Sequence, residues 1–260
     1  MYYLYTPSLL AAFPRSYVQD VLYVGFAGAK TDHKKITIFK GILTMNKSNP
    51  TILFIFLFFS FSAHASDGDF EVGINQDIDY VDVIHNGEPV RIQRNQSKSN
   101  TVNPVYAKTS RQCPPFCIQP SQIADGVETI AELEMLDYLK RVSNGDDSVI
   151  IIDSRTKDWV KKGTIPGSVN IPWTLLKPEA GADPFQIADI LETKFGAINI
   201  ENLWDFSNAK TLVLFCNGMW CGQSPSNIKT LLRFGYPPQK LKWYRGGMQN
   251  WENLGLTVVK

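Results

Sequence analysis

An excess of charge of either sign is missing from this chain. Its 260 residues carry 26 Lys and Arg against 25 Asp and Glu, a formal net charge of +1. That balance offers no basic surface of the kind a nucleic-acid partner requires. No internal repeat is visible, which excludes an array of stacked units. A membrane-length apolar run is absent as well. Ile52 to Phe61 (ILFIFLFFSF) is strongly apolar but only ten residues long, about half of what a spanning helix needs. Histidine is scarce, at three residues, and so is cysteine, at four.

The short apolar run has informative flanks. Met45-Asn46-Lys47 precedes it and Ser62-Ala63-His64-Ala65-Ser66 follows. A basic start, an apolar centre and a small-residue A-x-A site make a signal peptide over 45–65, with cleavage expected after Ala65. A buried core segment or an uncleaved anchor is the competing reading. Translation is then expected to begin at Met45, with residues 1–44 an upstream overextension; the alternative is a genuine extension with its own role. The mature chain is expected to be periplasmic or otherwise exported, touching a membrane only through this segment if it is retained. Export means an oxidising compartment for Cys113, Cys117, Cys216 and Cys221.

Residues 66–122 form an N-terminal extension. Tyr80 to His85, Asn86-Gly87, then Val90 to Gln93 predicts a β-hairpin with a type I′ turn. Pro89 makes it an edge element at best, and Arg94 to Asn103 reads as a linker. Cys113-Pro114-Pro115-Phe116-Cys117 follows. The prolines argue against a helix. A local disulfide closing a rigid turn is the favoured reading. A metal site is disfavoured, because two Cys with His85 fall short of four ligands. A third reading is that this pair exchanges electrons with Cys216 and Cys221, if the segment folds back over them.

From 123 the texture is that of a domain. Val127 to Val142, with Ile130, Leu133, Leu136 and Leu139 at three-residue steps, predicts an amphipathic helix. Val149 to Asp153 predicts a buried parallel strand. A helix over 156–162, a strand near 168–171, a long polar excursion over 175–208, and a strand at 241–244 before a helix opening at Gly246-Gly247 complete the pattern. Alternating strands and helices imply a three-layer α/β/α domain with a mostly parallel sheet, and a site at the C-terminal strand ends.

Cys216 occupies such an end. It follows the apolar run Thr211 to Phe215. The loop Asn217-Gly218-Met219-Trp220-Cys221 separates it from an amphipathic helix over 222–234. Backbone N–H groups and the helix dipole there stabilise a thiolate. Ser224-Pro225 is expected to cap that helix. Trp159, Trp173, Trp243 and Trp251 read as core, and Trp220 as exposed.

Four blocks then resemble the rhodanese-like (sulfurtransferase) domain of exported bacterial proteins. They are Ile151-Ile152-Asp153-Ser154-Arg155, Gly163 to Pro172 (GTIPGSVNIP), Leu212 to Cys216, and Tyr244 to Trp251 (YRGGMQNW). They fall in the family's order within 123–260, about half the chain. The resemblance implies a five-stranded, mainly parallel sheet flanked by helices. It implies that Cys216 accepts sulfane sulfur as a persulfide and passes it to a nucleophile. It implies no cofactor. The donor is a small sulfane-sulfur compound or a protein persulfide, and the acceptor a thiol or a redox partner protein. Residues 217–220 and Gly222 form the anion-binding loop, while Asp153 and Arg155 organise it.

Two departures matter. The loop carries no charge, where active members usually carry Arg or Lys, so a larger or less charged donor than thiosulfate is expected. Arg245 could supply the missing charge. Related phosphatases and arsenate reductases place Arg six positions after the Cys; Gly222 stands there, which excludes phosphate-ester chemistry. Cys221 is the second departure. It reads either as a resolving thiol or as a small residue filling the helix start. A thiol–disulfide redox protein working through Cys216 and Cys221, and a non-catalytic binding module, remain the rival functions.

Overall fold

A computed structural model describes residues 71–201 and 203–260; the expected upstream segment and signal peptide lie outside the described residues. Among the described residues no helix is long and apolar enough to cross a membrane.

Asn86 and Gly87 take positive φ, +52° and +87°, and turn β1 (Tyr80–His85) back on β2 (Glu88–Gln93) in antiparallel register. A short helix α1 (Pro104–Ala107) follows, capped by the Asn103 side chain. Beyond it lie β3 (Glu128–Ile130), α2 (Glu132–Ser143), β4 (Val149–Asp153), α3 (Lys157–Val160) and β5 (Val169–Asn170). Then come α4 (Pro184–Asp189), a small hairpin of β6 (Ile198–Ile200) and β7 (Leu203–Asp205), β8 (Thr211–Phe215), α5 (Gln223–Arg233), β9 (Leu241–Tyr244) and α6 (Gly247–Asn253).

Five of these strands form one sheet, β3-β9-β8-β4-β5, and every pairing in it is parallel. Its two faces explain the uninterrupted apolar strands. Ile152, Leu212 and Leu214 pack with Ile228 and Leu231 of α5. Their neighbours Ile151, Val213 and Phe215 pack on the other face with Met135, Leu136 and Leu139 of α2 and with Met248 and Trp251 of α6. Side chains alternate faces along a strand, so burial on both sides leaves no polar phase. This is the three-layer α/β/α architecture read from the sequence.

Several local expectations change. Residues 128–130 are strand rather than helix, because they pair with Lys242–Tyr244. The helix starts only after Ala131, whose N–H bonds the Glu134 carboxylate. Leu133 lies exposed, while Met135 takes the buried place. The helix expected over 156–162 is the single turn α3. The excursion over 175–208 is polar only on average: Leu176, Ile187, Leu191 and Phe195 are buried in the core beside α5. The extension is also built in. Val81, Val83, Ile92 and Tyr106 belong to the same cluster as α2 and α6.

Candidate active site

The C-terminal end of β8 delivers Cys216 beneath the N-terminus of α5, where unpaired N–H groups converge. Cys216 and Cys221 are both free thiols, 2% and 4% exposed. The Ser224 hydroxyl donates to Cys216 Sγ at 3.2 Å, and the Cys216 thiol faces the Cys221 carbonyl at 3.4 Å. Burial disfavours ionisation of Cys216. Hydrogen bonds from the Cys221 thiol, the Ser224 hydroxyl and the N–H groups of Ser224 and Gly218 outweigh it and lower the pKa to about 7. Cys221 moves the other way, pushed up by burial and by the neighbouring Cys216 sulfur. The two thiols are thus unequal: one is poised to ionise, the other holds its proton.

Ser224 explains a departure from the sequence reading. It sits inside α5, whose cap is Gly222. Its hydroxyl is committed to the sulfur and also accepts from Trp243 Nε1 at 3.2 Å, so it is not available for capping.

The loop is fixed from two sides. On one, α6 begins against it: Met248 N–H donates to the Cys216 carbonyl and Gln249 N–H to that of Asn217, both at 2.9 Å. Gly247 makes this approach possible. Its φ is +54°, and a Cβ there would overlap the Cys216 carbonyl and lie 2.8 Å from Gly218 N. Gln249 Oε1 also accepts from Trp220 Nε1 at 2.6 Å. On the other side, Arg155 is fully buried and makes a two-point pair with Asp153, Nε to Oδ1 at 2.9 Å and Nη2 to Oδ2 at 2.6 Å. Its remaining donors reach the Gly163 carbonyl, Tyr106 Oη and, at 3.4 Å, Asn217 Oδ1. Arg155 therefore meets the loop through Asn217 rather than through the sulfur.

A cavity of about 540 Å³ opens beside Cys221. Trp159, Trp173, Trp220 and Phe116 form aromatic walls, and Lys177 lies at its edge, 5.5 Å from the Trp173 ring. Trp243 and Trp251 are core, whereas Trp159 and Trp173, read as core from the sequence, line this space. Trp220 is half-buried rather than exposed, because the extension covers it. Phe116 meets its ring edge-on at 5.6 Å, and the Arg111 guanidinium lies 3.8 Å from its centre. Cys113 and Cys117 form a disulfide with Cα atoms 4.6 Å apart. This disulfide-closed strap docks on the loop: Gln119 N–H donates to the Met219 carbonyl at 2.8 Å.

Sequence comparison then identifies the domain: the rhodanese-like domain model matches residues 135–254. These residues are a rhodanese-like domain. Similar solved structures include a Rhodopseudomonas palustris protein described as of unknown function and a possible tyrosine phosphatase. It is 22% identical, with TM-score 0.34, covering 53% of this chain and 88% of that one. Another is a thiosulfate sulfurtransferase from Pseudomonas aeruginosa, at 19% identity and TM-score 0.34, covering 51% and 20%. A human single-domain sulfurtransferase is similar at 20% identity and TM-score 0.30, covering 48% and 95%. No curated protein matches.

Within the rhodanese-like domain, Arg245 does not face the thiols. It donates to the carbonyls of Gln119 and Pro120, at 2.9 and 3.1 Å, and so fastens the strap. The cation at the cavity is Lys177, which sequence reasoning missed. Its only signal was a place after the Ile171-Pro172 block, in a stretch of polar composition. Arg111, which covers Trp220, was also missed and carried no local signal. Met219 is exposed on the outer side of the loop. Among the described residues no group of His, Cys, Asp and Glu is arranged to hold a metal ion.

Proposed function

We propose that this chain is an exported sulfurtransferase that carries sulfane sulfur as a persulfide on Cys216. One observation supports this above the others: a buried thiol at a strand end, brought to about 7 by donors aimed at its sulfur. The Cys216 thiolate attacks the sulfane sulfur of a donor. A sulfur–sulfur bond forms to Cys216, and the donor's own bond to that sulfur breaks, its remainder leaving with the electron pair. The same donors that stabilise the thiolate then hold the persulfide anion. Asn217, Gly218 and Gly222 serve as backbone cradle, and Asp153 and Arg155 as positioning residues through Asn217.

The aromatic walls of the cavity, with Lys177 among the lining residues, support an organic anionic donor, such as an organic persulfide or a thiosulfonate, over thiosulfate. A redox role for the same two sulfurs is less well supported, because Cys221 keeps its proton and serves better as a hydrogen-bond donor than as an attacking thiol. The lowered pKa of Cys216 also argues against an inert binding module.

The test is an intact-mass spectrum before and after incubation with thiosulfate or benzenethiosulfonate. The expected result is a gain of about 32 Da, one sulfur, that disappears in Cys216→Ser, with the thiosulfonate the better donor. No gain with either donor would sink the reading.

A further inference from the structure

The strap carries a second pair of cysteines, which flank in sequence two residues lining the same cavity as Cys221. Pro115 and Phe116 stand in that cavity's wall, directly between the two cysteines of the Cys113–Cys117 disulfide. Three further contacts hold the segment there: Gln119 N–H on the Met219 carbonyl, and Arg245 on Gln119 and Pro120. A merely structural disulfide has no need of this address. Cys113 is exposed, while Cys117, next to Phe116, is half-buried. Cys113 is thus the more accessible of the two, and Cys117 is the one covered by its neighbours.

Resting on the persulfide reading above, we propose that the reduced Cys113/Cys117 pair is the built-in acceptor of the sulfur carried on Cys216, releasing it as hydrogen sulfide. A persulfide extends Cys216 by one sulfur–sulfur bond, about 2 Å, so its outer sulfur is displaced from the buried Sγ. The Cys117 thiolate attacks that outer sulfur. The bond from Cys216 to the outer sulfur breaks, Cys216 leaves with the electron pair, and Cys117 carries the persulfide. Cys113 then attacks Cys117 Sγ, closing the disulfide and expelling the outer sulfur as sulfide. One persulfide and two thiols thus give one thiol, one disulfide and one hydrogen sulfide. The two electrons that reduce the sulfane sulfur come from the strap, which ends in its disulfide state. A dithiol reductant from outside, small or protein-borne, resets it through the exposed Cys113.

Cys221 is the competing acceptor, being closer in sequence. It is 4% exposed and its thiol is engaged by Cys216 and by Gln223 Oε1 at 3.8 Å, whereas Cys113 is exposed and Cys117 half-buried.

The experiment uses the full chain reduced with dithiothreitol, desalted, and given one equivalent of benzenethiosulfonate without added thiol. Sulfide and intact mass are followed together. The wild type is expected to release one equivalent of sulfide and to end with Cys113 and Cys117 oxidised. The Cys113→Ser/Cys117→Ser variant is expected to hold the added sulfur on Cys216 and release none, and Cys221→Ser, whatever its loading rate, to release one sulfide for each sulfur it gains. Sulfide release by the double variant at the wild-type rate, or a Cys221→Ser protein that gains sulfur yet releases none, overturns the proposal and leaves Cys216 loading intact. If the double variant fails even to gain sulfur, the persulfide reading itself has failed, and this proposal with it.

Discussion

At Cys216 two forces oppose each other, and their balance can be measured. Removal from water raises a thiol pKa; donors aimed at the sulfur lower it. The donors win here, but by a margin that one of them can decide. Beside the Cys221 thiol, the side-chain donor is Ser224, whose hydroxyl reaches Sγ at 3.2 Å and is itself held by Trp243. A hydrogen bond to a charged group is worth about 1.5–3 kcal/mol, or about one to two pH units. Ser224→Ala should therefore move the midpoint of Cys216 alkylation from about 7 back toward the ordinary thiol value of 9.0. The sign is fixed: alkylation by iodoacetamide rises with pH through the midpoint, so the variant should be slower near neutrality and should recover in alkali. Ser224→Thr, which keeps the hydroxyl, should stay near wild type. Peptide mapping separates Cys216 from Cys221. An unmoved profile in Ser224→Ala would show that the Cys221 thiol and the backbone N–H groups set the pKa without it.

Where α6 starts, one missing Cβ holds the site together. Gly247 combines a positive φ with a close approach to Cys216 and Gly218. Gly87 has a positive φ of +87° but open space around it. The two positions separate backbone strain from steric displacement. Gly87→Ala should cost about 1–2 kcal/mol, the penalty of a left-handed residue, and leave sulfur loading unchanged. Gly247→Ala should cost more and should abolish loading, because the Cys216 carbonyl must move to make room. Equal loading in the two variants would mean that the loop tolerates displacement. The same elements show what the sequence discloses. Strands β4 and β8 were legible because burial on both faces leaves an unbroken apolar run. The start of α2 was not, since Glu128-Thr129-Ile130 fits a helix locally and only the distant pairing with β9 makes it a strand. Ser224-Pro225 carried the pattern of a cap, yet the sulfur lies eight positions away and takes the hydroxyl. Cys216 and its loop were legible from local order. Lys177, Arg111 and the folding of the strap over Trp220 were not, because each depends on chain far away in sequence.

Taken whole, the described structure is larger than its rhodanese-like domain. Val83, Ile92 and Tyr106 of the extension are no more than 1% exposed, packed among residues of α2 and α6. Polar contacts repeat the junction: Asn95 N–H donates to the Gly255 carbonyl at 2.7 Å, Gly167 N–H to His85 Nδ1 at 3.1 Å, and Arg155 to Tyr106 Oη. Removing the extension would expose that apolar face and leave Arg155 with an unpaired buried donor. Each large apolar side chain taken out of burial costs about 1.5–3 kcal/mol, against a total stability of about 5–15 kcal/mol for a domain. A chain beginning at Ile123 should therefore lose its near-UV circular dichroism and its cooperative melt. Ile92→Ala in the 66–260 chain supplies the graded version, with an expected loss of about 2–5 kcal/mol. At about 2–4 °C per kcal/mol for a chain of this size, its melting temperature should fall by about 5–15 °C. A 123–260 fragment that kept its near-UV spectrum and melted with the longer chain would contradict this, since the core could then close without the hairpin. The strap would in that case be a separate attachment, and its hold on the Cys216 loop would rest on its own contacts through Arg245, Gln119, Phe116 and Arg111.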